Sequence, residues 1–155
     1  MTDFKFYTER IGVFETNSSS THSIAIFTDE TQLLTNYNIV DEFIPYIEEY
    51  YESDGQRNQF LDKLGYVLVA LRYVSNGKDS LFEDNLNKLK DLIKEHTGIP
   101  LIVDEDTLLA MESSYIESAT AVCELLAEFL NNDNIELMKY FLFSDKSFFS
   151  MSRDG

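Results

Sequence analysis

The chain has 155 residues, enough for one domain with a real core, and 44% hydrophobic and 14% aromatic residues exclude a disordered polymer. Its 28 acidic and 12 basic residues leave a net charge of −16. That charge argues against direct contact with nucleic acid phosphates or an anionic membrane, and either keeps the protein soluble or attracts a basic surface.

Phe4 to Phe14 reads as extended, with Phe4, Phe6, Ile11 and Val13 alternating with polar positions. An unbroken polar loop, Glu15 to Ser23, follows. Ile24-Ala25-Ile26-Phe27 then reads as a buried strand, which places the loop at one end of a sheet. Thr28 to Asn38 stays open between a short helix and a loop. From Asp41, the residues Phe43, Ile44, Ile47, Tyr50 and Tyr51 recur at helical spacing, with Pro45 in the first turn and Ser53-Asp54-Gly55 as the stop.

Gln59 to Tyr73 has an apolar face of Phe60, Leu64, Val67, Leu68, Leu71 and, just beyond, Val74, widened by Leu61, Val69 and Ala70, so it is expected at the centre of the core. Asn76-Gly77 ends it. Ser80 and Glu83 have the spacing of a capping box for the next helix, which buries Phe82, Leu86, Leu89 and Ile93 and ends at Thr97-Gly98. Leu101-Ile102-Val103 reads as a strand, and Asp104 or Asp106 starts a short helix. Ile116 to Leu130 is a helix. Another, carrying Ile135, Met138, Phe141 and Leu142, follows the turn 131–134. Ser147 to Ser152 is extended and can return to an N-terminal strand. The expected fold is α+β, one domain over 1–155. A small sheet from N-terminal, central (101–103) and C-terminal strands packs on four to six helices.

The chemistry concentrates in the polar loop. Hydroxyls of Thr16, Ser18, Ser19, Ser20 and Thr21, with Asn17 and backbone amides, suit a phosphate or other anion. His22 is the candidate acid or base, Ser20 the candidate partner two residues away, Glu15 the group to orient the histidine, and Asp154 a further member if the tail comes back beside the loop. The alternative is that these side chains satisfy local backbone and that His22 is a structural hydrogen-bonder. Glu48, Glu49 and Glu52 read as a solvated helix face. Cys123, the single cysteine, excludes an internal disulfide and a multi-cysteine zinc site. No metal-ligand spacing, P-loop or dinucleotide fingerprint occurs, so neither metal nor cofactor is expected. No apolar run is long enough to cross a bilayer, and the start at Met1 to Lys5 carries no signal-peptide core, so the expected location is the cytoplasm.

Arg10 to Ser23, reading R-I-G-V-F-E-T-N-S-S-S-T-H-S, resembles the start of a functionally uncharacterised family of small proteins from bacteriophages and Gram-positive bacteria, marked by F-E-T-N-S-S-S-T-H-S. Lys90 to Gly98 and Phe141 to Phe149 are similar to later family segments. Tyr115-Ile116-Glu117-Ser118 lacks the histidine that family members often carry there, and the chain end, Ser152 to Gly155, departs from the usual Gly-Asn-Asp-Asn-like ending. The resemblance implies a phage-type origin, a host-cell cytoplasm as location and a polar loop with a function; it implies no reaction. Three function classes follow. One is a small acidic effector that binds a host protein with a basic surface, without direct nucleic acid contact. One is an enzyme or sensor for a phosphate-bearing small molecule or nucleotide at 15–23. One is a homo-oligomeric module, which light scattering would reveal.

Overall fold

The computed structural model describes residues 11–16, 20–28, 41–48, 50, 55–113, 120–131 and 133–153, with backbone only at 11–16, 20–21, 113, 120–121 and 152–153. The fold is α+β: four antiparallel strands and five helices among the described residues. The strands are β1 (Ile11–Thr16), β2 (Ser20–Ile26), β3 (Gly55–Arg57) and β4 (Phe148–Arg153), and the sheet order is β1-β2-β4-β3. The helices are α1 (Phe60–Ser75), α2 (Asp79–Thr97), α3 (Glu105–Ser113), α4 (Thr120–Glu128) and α5 (Ile135–Phe143).

The C-terminal strand does return, and it enters the sheet between β2 and β3 rather than at an edge. Ile24 faces Phe149 and His22 faces Met151 across the ladder. Alternation puts His22, Ile24 and Ile26 of β2 on one face, and all three are buried, as are Phe149 and Met151 of β4. That face meets α1, where Tyr66 stacks on Phe149 with ring centroids 4.1 Å apart.

α1 is buried continuously from Lys63 to Leu71 and packs against the other four helices, as its apolar surface on all sides requires. It ends on Asn76 in the left-handed region, followed by Gly77 at φ 80°. That connection is so short that α2 starts at Asp79, with Lys78 at its cap and no side-chain cap bond. The capping box expected at Ser80 and Glu83 is therefore not formed, because both residues already lie inside the first turns. Asp104 does cap α3, accepting from the amide and hydroxyl of Thr107 at 2.8 Å each.

Two further expectations change. The segment 41–48 is not helical. Pro45 disfavours helical backbone at Ile44. The amide of Phe43 donates to Pro100 O, and Phe43 O accepts from Ile102 N. Those bonds form a single parallel bridge between Phe43 and Leu101, so 101–103 lies outside the sheet, and the strand that the middle of the chain contributes is Gly55–Arg57, at the sheet's edge. Glu48 is accordingly not on a solvated helix face: it takes Arg57 in a two-pronged ion pair at 3.1 Å, clasping the segment before α1 to edge strand β3. The expectations at 4–10, 29–38, 53–54 and 116–119 lie outside the described residues.

Candidate functional site

β2 begins at Ser20, so most of the expected loop is strand. Glu15 and Thr16 end β1, Ser20 to Ser23 begin β2, and Asn17, Ser18 and Ser19 lie outside the described residues. The register sets Glu15 opposite His22 and Thr16 opposite Thr21. On the other flank Ser20 is opposite Arg153 and Thr21 opposite Ser152. The tail thus runs beside the polar segment, with Asp154 just beyond the described residues. Ser20 and His22 share a face of β2, as their spacing allows. Because β2 is paired on both sides, the backbone of Ser20 to Ser23 is engaged in ladders.

His22 is 1% exposed. Its Nδ1 is 3.2 Å from the Tyr66 hydroxyl, with the donor set by the tautomer, and its Nε2 is buried with no hydrogen-bond partner among the described residues. Burial holds its pKa below the usual histidine value, so the ring is neutral at pH 7. The Tyr66 ring lies 6.3 Å from it, and Tyr50 packs edge-on to Tyr66 at 5.1 Å. Burial also pushes the Tyr50 phenol up, with the Glu48 and Asp62 charges acting in the same direction. Asp62 is itself raised, by burial first and then by Glu48, against the opposing charge of Arg57.

Deeper in α1, Lys63 is fully buried and donates from Nζ to Ser144 O at 2.7 Å and Ser147 O at 3.1 Å. These carbonyls belong to the turn between α5 and β4. The Ser147 hydroxyl accepts from the Phe27 amide at 2.9 Å, at the end of β2. Lys63 therefore ties the entry of β4 into the sheet, and with it the pairing of Met151 and Arg153 beside His22 and Ser20. Sequence reading missed Lys63, Tyr50 and Tyr66. The available signal was a lone lysine and two tyrosines within or before an otherwise apolar helical pattern.

Comparison with protein-family models, curated proteins and solved structures gave no match. Among the described residues no three His, Cys, Asp or Glu side chains gather as a metal site, and no helix is long and apolar enough to cross a membrane. Cys123 is buried and in no disulfide.

The neutral, enclosed His22 has a consequence for acid stability. The unfolded chain takes up a proton at the ordinary histidine pKa of 6.5, which the folded chain resists. Below that value the unfolded state binds more protons, so stability is full above it and falls with pH. His22→Gln is expected to flatten this acid limb by up to about 1.4 kcal/mol per pH unit. Urea midpoints of both proteins across the limb measure it; parallel curves would mean that His22 charges freely in the fold.

Proposed function

We propose that the chain is a small acidic effector of phage type that binds and modulates a host protein with a basic surface, one that handles nucleic acid or acts in defence. The observation that carries this reading is the placement of charge. From Thr97 to Met138 the sequence has nine carboxylates and no Lys, Arg or His, which is more than half of the net −16. Glu105, Glu112, Glu124, Glu128 and Glu136 of this stretch are exposed on α3, α4 and α5. Arg72 pairs with Glu112 and Lys139 with Glu136, so the stretch keeps a large excess of acid rather than a uniform sign; that excess steers a basic partner and repels phosphate polymers. The expected result is capture of a basic protein from a Gram-positive lysate at low salt. The purified pair should weaken by about tenfold or more as ionic strength rises through the physiological range. A captured protein with an acidic contact surface, or an affinity indifferent to salt, would end this reading.

One observation favours a second reading, an enzyme or sensor for a phosphate-bearing small molecule at 15–23. His22 Nε2 is buried with no hydrogen-bond partner among the described residues, on the strand position opposite Glu15 and next to the returning tail. A ligand that binds only the folded state raises its melting midpoint by mass action. A thermal-shift screen against nucleotides, phosphosugars and divalent metals is expected to give a hit that His22→Ala abolishes, if this reading holds. A flat screen, or a hit retained in His22→Ala, counts against it.

A further inference from the structure

We infer that the exposed face of α3 is the docking surface for a basic amphipathic helix of the partner protein, an inference that rests on the acidic-effector reading and gives it a location. α3 buries Thr107 and Met111 on its inner side. Its outer side presents Glu105, Leu108, Leu109 and Glu112, the i, i+3, i+4, i+7 pattern of a single helical face. Leu108 is 37% exposed and Leu109 is 63% exposed, in adjacent positions between the two exposed carboxylates. The same four residues line a groove of about 220 Å³ among the described residues.

A leucine pair framed by carboxylates specifies the occupant. Its centre must be apolar, because only apolar surface gains by covering the leucines. Its flanks must be cationic, because Glu105 and Glu112 would be left facing any other group at a loss. The two carboxylates stand seven residues apart, about 10 Å along the helix at 1.5 Å per residue. A second helix laid along α3 meets both with Lys or Arg residues also two turns apart. This is recognition of a helix by side-chain anchors at helical spacing.

The chain already illustrates half of the contact. Arg72 of α1 donates to Glu112 at 3.4 Å and to Asp79 at 3.1 Å. A partner guanidinium arriving at Glu112 can displace the longer of these bonds while Arg72 keeps Asp79.

The test uses the full chain and a labelled synthetic helical peptide with two central leucines and two arginines seven residues apart. One control peptide carries Glu for Arg and another carries Ser for Leu. Fluorescence polarisation is expected to show binding of the first peptide, weakened by salt and by about tenfold in Leu109→Ser. Glu105→Lys should lose affinity for the arginine peptide and gain it for the glutamate peptide. Both substitutions are at exposed positions, and their melting midpoints serve as the check on folding. Equal binding by wild type and Leu109→Ser would mean attraction by charge alone; the inference would fall and the acidic-effector reading would stand. No binding of the peptide by wild type, while a basic lysate protein is captured independently of Leu109, would overturn it in the same way. A captured partner whose affinity ignores salt would remove the effector reading itself.

Discussion

Gly65→Ala is expected to destabilise the protein by at least about 2 kcal/mol, although in an exposed helix the same change gains about 1 kcal/mol. Gly65 lies within α1, where the segment 43–48 crosses. A Cβ built there would stand 1.9 Å from Tyr46 O, 2.8 Å from Tyr46 C and 3.0 Å from the Tyr50 hydroxyl. Two of those atoms are backbone, and they cannot rotate away as a side-chain tip can. The Tyr46 amide donates to Leu61 O at 3.4 Å and Tyr46 O accepts from the Tyr50 hydroxyl at 3.4 Å, so the crossing segment is held from both ends. Relief requires the whole segment to lift off α1, with loss of packing around Tyr50 and Tyr66. Gly77→Ala is the control. No atom lies within 4 Å of the added carbon, so only its φ of +80° is strained, at a cost of about 1 kcal/mol. Urea unfolding of the two variants decides the matter. A Gly65→Ala protein as stable as wild type would show that the crossing is looser than these distances require.

The second large effect is expected at Lys63. Burial pushes its pKa down to about 7 from 10.5, opposed by the Asp145 charge. Between those two values the unfolded chain holds a proton that the folded chain has released. Stability therefore rises as pH increases across the window, by up to about 1.4 kcal/mol per pH unit, and the burden of the buried charge is fully present below it. Lys63→Met keeps the apolar stem and removes the titration, so its stability should vary less with pH over the same range. Lys63→Ala also opens a cavity and removes the Lys63 donor from Ser147 O and from Ser144 O, which keeps only the Ser147 amide at 3.1 Å, and a loss of about 3 to 5 kcal/mol is expected at pH 7. Urea midpoints of the three proteins from about pH 7 to about pH 10.5 test both statements. Parallel profiles for wild type and Lys63→Met would mean that the ammonium stays charged in the core. Because Lys63 ties the turn that leads into β4, its loss should also weaken the pairing of β4 with β2 at His22. Amide exchange in 148–153 would report that loosening.

Local chemistry determined much of this fold. α1 and α2 are legible because apolar residues recur at helical spacing and Asn76-Gly77 and Gly98 supply left-handed ends. The unbroken apolar run Ile24-Ala25-Ile26-Phe27 marks a buried strand, and Asp104 or Asp106 marks the start of α3, Asp104 being the cap. What depends on distant residues was not legible. Phe43 surrendered its backbone to Pro100 and Ile102, so a helical pattern from 41 became an extended crossing. Ser20 to Ser23 looked like a loop because their side chains are polar, yet β1 and β4 claim their backbone from either side. β4 comes from the far end of the chain, and its position beside β2 is held by contacts such as Phe27 to Ser147, 120 residues apart. The composition of the signature named His22 as the residue to watch, but its burial against Tyr66 follows from where α1 packs on the sheet. Periodicity and caps act over a few residues and are written in the chain; strand partners and the enclosure of a side chain are chosen by whichever distant surfaces bury the most apolar area together, and only the assembled tertiary structure makes that choice.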